Sequence, residues 1–286
     1  MQSIRPRSVT ELIDGSVRLT REHYGPLLVL SVIAFLPSLI VAGFMQPDPQ
    51  APLSEAFGNQ QLIFTVIGYL VFAVIDGAMV HAVSQAYLGK PMSGAAESMR
   101  AAFARVWTLL GSTLLRWLII VAPIMFVGVL AAVLVPLAGT ATAMGVAGLG
   151  FLIALPFVLH FFARLAVATP AIMIEGRGAI ASLSRSSTLT RGSRWRVLGA
   201  FMLIFLVFFL VAFALMLLSQ LITENQIIGQ IIWQFVAAFL YPLIVAATVL
   251  IYYDLRIRTE GYDLELMAEG VGAAGRAETP KSFPFS

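Results

Sequence analysis

Four side chains able to carry a proton or a charge fall within otherwise apolar stretches of this sequence: Asp76, His81, His160 and Arg164. Asp76 is the most exacting, because it sits in the middle of the stretch from Leu62 to Leu88. An ionised side chain at the centre of a bilayer-spanning helix costs about 2.5–3.5 kcal/mol, and a flanking Leu or Ile returns only about 0.3–0.6 kcal/mol. Asp76 is therefore expected to face other helices and either find a partner or keep its proton. His160 and Arg164 are four residues apart and share a helical face. The expected grouping is an Asp76–Arg164 interaction with His81 and His160 nearby, on the cytoplasmic half of a helix bundle. Such a group suits proton or small-solute handling by a transporter. It suits equally an ion pair that locks two helices, with Arg164 otherwise reaching to the inner surface.

A second chemically capable set is Arg185, Arg191, Arg194 and Arg196, interleaved with serines and Trp195. These arginines could bind anionic lipid headgroups, each worth about 1 kcal/mol beside a charged leaflet. Fixing membrane orientation also accounts for them. Other chemistries lack their residues. With no cysteine there is no disulfide, thiolate ligand or Cys nucleophile. Three scattered histidines do not make a zinc motif. No glycine loop leads into a Lys-Ser/Thr helix start, and no Ser-His-Asp order stands out. No metal, cofactor or catalytic residue is expected. A net charge of +3 and pI near 9.4 would fit nucleic acid, but in a chain this apolar the basic residues first set orientation, so no nucleic acid is expected.

The elements holding these residues must be membrane helices. Apolar residues make up 59% of the 286 and charged residues 12%, where soluble domains run near half and a quarter, about 45–50% and 25%. Mean hydropathy is +0.90. Six apolar stretches reach the roughly 20 residues that cross a bilayer: Leu27 to Met45, Leu62 to Leu88, Trp117 to Leu137, Val146 to Val167, Val197 to Leu221 and Ile227 to Tyr253. Prolines within them (Pro37, Pro123, Pro156, Pro242) are expected to kink the helices, their freed carbonyls satisfied by neighbours. The apolar run after the long polar lead is too long for a signal-peptide core, so the first helix is expected to stay.

All 18 lysines and arginines precede the first stretch, follow the last, or lie between the second and third or at and after the end of the fourth. The other three connections (Gln46 to Gln61, Ala138 to Gly145, Ile222 to Gln226) carry none. Positive charge concentrates on the cytoplasmic side, which predicts an inner-membrane protein with both termini cytoplasmic. Arg116 beside Trp117 reads as an interfacial anchor. The phenylalanines Phe201, Phe205, Phe208, Phe209 and Phe213 read as a ridge towards lipid or another helix.

The basic connections hold amphipathic segments. Ser8-Val-Thr-Glu11 is a capping box, after which Val9, Leu12, Ile13 and Val17 share a face opposite Asp14, Arg18 and Arg21. A second segment begins near Ser93, with Met99, Ala102, Phe103 and Val106 at helical spacing. A third runs from Gly178 to Thr190, with Ile180 and Leu183 on one side. Each is expected to lie on the inner leaflet. They also resemble one another. Ser16-Val-Arg-Leu-Thr-Arg21 echoes Ser186-Ser-Thr-Leu-Thr-Arg191, Trp107-Thr-Leu-Leu-Gly111 echoes Trp195-Arg-Val-Leu-Gly199, and Gly94-Ala95 with Ser98 echoes Gly178-Ala179 with Ser182.

The expected fold is therefore all-α: a polytopic membrane protein of six transmembrane helices arranged as three hairpins, each preceded by a cytoplasmic interfacial helix. Residues 1–269 form the membrane domain, with units at 8–88, 92–169 and 177–253. Asp254 to Glu269 is expected as a short cytoplasmic helix, and 270–286 as a disordered tail.

Three segments, Ile4 to Leu19, Ala181 to Arg191 and the run Ile251-Tyr-Tyr-Asp-Leu-Arg-Ile-Arg-Thr-Glu-Gly-Tyr-Asp-Leu-Glu265, resemble bacterial glycerophosphoryl diester phosphodiesterase membrane-domain proteins. The likeness spans most of residues 4–267. It implies a non-catalytic membrane module, since the catalytic barrel behind the family name has no room in this chain. Three functions follow as expectations: a non-enzymatic scaffold or accessory subunit with a protein partner in the membrane, a small-solute or proton-coupled transporter using Asp76, His81, His160 and Arg164, or a membrane enzyme acting on lipid.

Overall fold

The computed structural model describes residues 7–44, 59–222, 226–262 and 264. Their regular structure is helical throughout: α1 (Val9–Glu22), α2 (Tyr24–Phe44), α3 (Asn59–Tyr87), α4 (Ala95–Phe103), α5 (Val106–Leu165), α6 (Ala168–Glu175), α7 (Ala179–Leu189), α8 (Arg194–Ile222) and α9 (Gln226–Glu260). Among the described residues four helices are long and apolar enough to cross a membrane, and a fifth is gained if α1 and α2, bent by 92°, count as one span. These helices are compatible with a multi-pass membrane protein.

Burial runs opposite to apolarity, as lipid allows and water does not. The most apolar stretches of α5 and α8 are 0% and 17% buried, whereas those of the less apolar α3 and α9 are 50% and 61% buried. The centre is accordingly α2, α3 and α9, closed by Leu27, Leu30, Ile75, Met79 and Leu250. Large side chains such as Phe126, Leu152 and Phe209 face outward on α5 and α8.

The central helices stay together through the proline kink in α9. Pro242 has no N–H to donate to the carbonyl of Ala238, four residues back. The hydroxyl of buried Ser31 on α2 donates to that carbonyl at 2.5 Å. Tyr24, also on α2, donates to the next carbonyl, that of Phe239, at 3.0 Å. The kink is thus matched to α2 by two hydroxyls.

The connection expected over Ala138 to Gly145 is instead helical apart from one residue. Gly139 holds φ 83°, ψ 165°, a conformation open to glycine and strained for any side chain. Around it α5 folds back on itself, since a Cβ on Gly150 would fall 2.7 Å from Val127. α6 was not anticipated. It follows α5 after a short break, which α7 fills: the Ser186 hydroxyl accepts from the Val167 amide at 3.2 Å and donates to the Arg164 carbonyl at 2.9 Å. Nor is Asp254 to Glu260 a separate helix. It is the last two turns of α9, which ends at Gly261 with φ +66°. The connections 46–58 and 223–225 and the tail from 265 onward lie outside the described residues.

The three short helices carry the matched residues in like settings. The capping box at Ser8 and Glu11 is formed, while Gly94 and Gly178 cap α4 and α7 with extended backbones. The matched pairs Ser16 with Ser186 and Ser98 with Ser182 are all fully buried, although Ser16 returns its hydroxyl to the Ile13 carbonyl of its own helix at 2.7 Å while Ser186 donates to Arg164 of α5. Trp107 and Trp195, one residue into α5 and α8, are 82% and 86% exposed. The apolar faces divide: Leu12, Ala102 and Leu183 are buried together with the small Gly15, Ser98 and Ser182, whereas Val17, Phe103 and Ile180 point outward. At Gly15 an added Cβ would meet Leu250 at 2.8 Å, so α1 lies flush on α9 through Gly15 and Ser16 rather than through Val17.

Removing the Ser31 hydroxyl leaves the Ala238 carbonyl without a donor, at a cost of about 1–3 kcal/mol. Ser31→Ala is expected to lower the melting temperature in detergent. Adding Pro242→Ala, which restores the backbone N–H, is expected to recover most of that loss. A double variant no more stable than Ser31→Ala would refute the matched-kink account.

Candidate functional site: an ion-pair and tyrosine cluster at the end of the last helix

Ionisable groups gather where α9 leaves the apolar core. Tyr252, Tyr253 and Asp254 are consecutive, and successive residues of an α-helix point about 100° apart. Each therefore addresses a different neighbour, and all three are buried. Tyr252 donates to Glu175 of α6 at 2.7 Å. Tyr253 shares a 2.8 Å hydrogen bond with Ser84 of α3 and stacks on Tyr87, ring centroids 4.7 Å apart. Asp254 turns to α1 and α8. A single turn of α9 thus joins several of the surrounding helices.

Asp254 is 3% exposed and its two oxygens are fully engaged. One accepts the Arg7 amide at 2.8 Å, just before α1. The other meets Arg196 of α8 at 2.9 Å and Arg258, one turn further along α9, at 3.0 Å. Arg196 and Arg258 also donate to the Arg7 carbonyl, Arg258 at 2.9 Å. The Arg7 guanidinium lies over the Tyr87 ring, 5.5 Å from its centroid. Glu175 accepts from Arg185 of α7 at 2.8 Å and from Arg177 at 3.0 Å. Arg185 continues to Glu260, which Arg256 joins at 3.2 Å. The hydrogen bonds that Arg185 donates to Glu260, and then those it donates to Glu175, hold its pKa above its already high ordinary value. Arg256 lies 3.8 Å over the ring of Tyr262. Beside this cluster, Arg105 donates at 2.7 Å to the Ile172 carbonyl in the last turn of α6, whose helix Gly176 ends with φ +73°.

Donors and acceptors here are spent on one another across α1, α3, α6, α7, α8 and α9. The chemistry available to such a cluster is mechanical, since it fixes the angles between helices.

The four intramembrane candidates are not brought together. The pairing expected between Asp76 and Arg164 is replaced by two separate contacts: Asp76 accepts from the Tyr241 hydroxyl at 2.6 Å, and Arg164 donates to Ser187 at 2.7 Å. Tyr241 is buried one residue before Pro242, so the α9 kink also delivers the partner of Asp76. Arg116 donates to Thr169 at 3.4 Å and stands within Coulombic range of Tyr241. His81, five residues beyond Asp76 and so about 140° round the helix, faces Glu97 and Arg105 instead. His160 is exposed, with its Nε2 3.5 Å from Arg194. The four headgroup candidates also divide. Arg185 and Arg196 are committed to carboxylates, while Arg191 is exposed and Arg194 lies beside His160.

Glu175, Asp254, Glu260 and the tyrosines were not expected as site residues. Their signal was present: three acids on the strongly basic side of the chain, two of them inside the terminal run Ile251 to Glu265.

Fold and cluster together define an all-helical protein with long apolar helices and an ion-paired end. The sequence model of the family described as "Domain of unknown function (DUF7847)" matches residues 92–257, more than half of the chain. The protein belongs to that family. No curated protein and no solved structure matches it.

Removing one partner of a buried ion pair costs about 3–5 kcal/mol, whereas an exposed pair is worth about 0–1 kcal/mol. Asp254→Asn is therefore expected to lower the melting temperature in detergent far more than Glu260→Gln, whose carboxylate is a third exposed. Equal effects would show that Asp254 is not the hub.

Proposed function

We propose that this protein is a six-span membrane scaffold, an accessory subunit that holds a partner within the inner membrane rather than an enzyme. The supporting observation is the cluster around Tyr252, Tyr253 and Asp254, whose buried acids are all engaged by the chain's own donors. A catalytic site keeps a group free for substrate, and a rigid frame does not. In this reading α2, α3, the two arms of α5, α8 and α9 are the six crossings, with α1, α4 and α7 lying in the cytoplasmic interface. The outward Val17, Phe103 and Ile180 beside the exposed Trp107 and Trp195 support that placement, because such side chains settle at the headgroup level. The like settings of matched glycines, serines and tryptophans support three related units. The relation to glycerophosphoryl diester phosphodiesterase membrane domains remains part of this proposal and rests on the terminal motifs.

One observation favours the transporter reading instead. Asp76, within an apolar helix, accepts a hydrogen bond from the neutral phenol of Tyr241 rather than pairing with a cation, and polar groups so placed mark solute or proton pathways in transporters. A lipid-acting enzyme has no comparable support.

Two measurements test these readings. Because the chain has no cysteine, single introduced cysteines report topology cleanly. Ser54→Cys and Thr140→Cys are expected to react with an impermeant maleimide from outside, and Thr10→Cys and Ser193→Cys only after permeabilisation. External labelling at 193 would overturn the orientation. In proteoliposomes under an imposed pH gradient, the scaffold reading expects no proton flux above empty vesicles. A flux abolished by Asp76→Asn, with the fold retained, would replace the scaffold with the transporter.

A further inference from the structure

A groove of about 680 Å³ runs between the second arm of α5 and the start of α8, within the usual range of about 300–1,000 Å³ for small-molecule sites. Its wall is apolar, formed by Leu152, Leu155, Leu159 and Leu198. Its mouth is not: His160, Arg194 and Trp195 line it at the end nearest the basic side. Arg194 Nε is buried and has no hydrogen-bond partner among the described residues, and Nη1 stands 3.5 Å from His160 Nε2. A desolvated guanidinium N–H lacking an acceptor is an unfavourable state that a bound anion relieves. Among the described residues no carboxylate fills this role, in contrast to Arg185 and Arg196 nearby.

We propose that this groove binds an anionic phospholipid from the cytoplasmic leaflet. The phosphate takes the Arg194 guanidinium fork, whose planar donors match phosphate oxygens, with His160 as the second donor. One acyl chain lies along Leu159, Leu155 and Leu152, descending the helix into the hydrocarbon. Trp195 packs at the headgroup level beside it. A soluble phosphate would leave the leucine wall unused, and a zwitterionic headgroup would bring its ammonium towards Arg194. At the matched position of the preceding unit, Val106 stands before Trp107 where Arg194 stands before Trp195, so the matched position carries no such arginine. The proposal rests on the membrane placement above but not on the scaffold role.

Trp195 supplies the test. With Trp107, Trp117 and Trp233 changed to Phe, the full chain carries one indole, reconstituted in phosphatidylcholine vesicles containing a minor fraction of brominated phosphatidylglycerol or brominated phosphatidylcholine. One arginine beside a charged leaflet supports on the order of a fivefold preference, so brominated phosphatidylglycerol should quench severalfold more strongly. Arg194→Gln should remove that preference and Arg191→Gln should leave it. Leu155→Phe, which narrows the groove without changing its charge, should weaken quenching by both lipids. Equal quenching in the parent protein, or a preference that survives Arg194→Gln, would overturn the site. Loss of the preference on adding inorganic phosphate would reassign it to a soluble anion. Absence of quenching by either lipid would overturn the membrane placement together with the site.

Discussion

The arrangement depends on the carboxylate of Asp254, held out of water with both oxygens engaged. A buried carboxylate is tolerable only when its charge is matched and its lone pairs are occupied. Three segments meet that demand: the backbone before α1, the first turn of α8 and the next turn of α9 itself. They cannot meet it unless the start of α1 and the base of α8 converge on α9. The penalty for leaving Asp254 alone thus becomes a constraint on helix positions. Hydrophobic burial could not impose this, since lipid-facing helices gain little by exchanging lipid for one another.

Tyr252 and Tyr253 extend the same logic around α9. In a helix, consecutive polar residues cannot serve one partner, so a run of three is informative only if the helix is surrounded. α9 is surrounded, by α2 and α3 within the core and by α1, α6, α7 and α8 at its end. Deeper in the core the same helix needs less. There Pro242 creates one vacant carbonyl and Tyr241 offers one hydroxyl, and Ser31 and Asp76 answer them. The protein concentrates its polar bonding in α9 and leaves the outer faces of α5 and α8 to lipid-compatible side chains.

Much of this was readable from the residues, for identifiable reasons. Apolar length located the long helices, and the capping box at Ser8 located the start of α1, because both signals are local. Partners could not be read in the same way. Asp76 demanded one, but the residue supplying it is 165 positions away and uncharged. A search confined to charges finds Arg164 and passes over Tyr241. The faces of the short helices divide in a way local spacing does not show: Leu12, Ala102 and Leu183 of the apolar faces are buried, while Val17, Phe103 and Ile180 of the same faces point outward. From sequence the turn within α5 reads as an eight-residue connection from Ala138 to Gly145, since polarity marks where apolar spans end, and the geometry of Gly139 reduces it to one residue.

The small inward residues also explain why the short helices can look alike yet serve different neighbours. A serine that returns its hydroxyl to its own helix is buried without needing a partner across the interface. It permits close approach and makes no demand on what approaches. Ser16 is satisfied in this way while α1 packs on α9, whereas Ser182 of α7 also shares a 3.0 Å hydrogen bond with Ser112 of α5. Specificity then rests on the few residues that do not repeat. Gly15 admits Leu250, and Arg194 precedes Trp195 where Val106 precedes Trp107. A small inward face lets each short helix sit close, and the single residues around that face decide what it sits against.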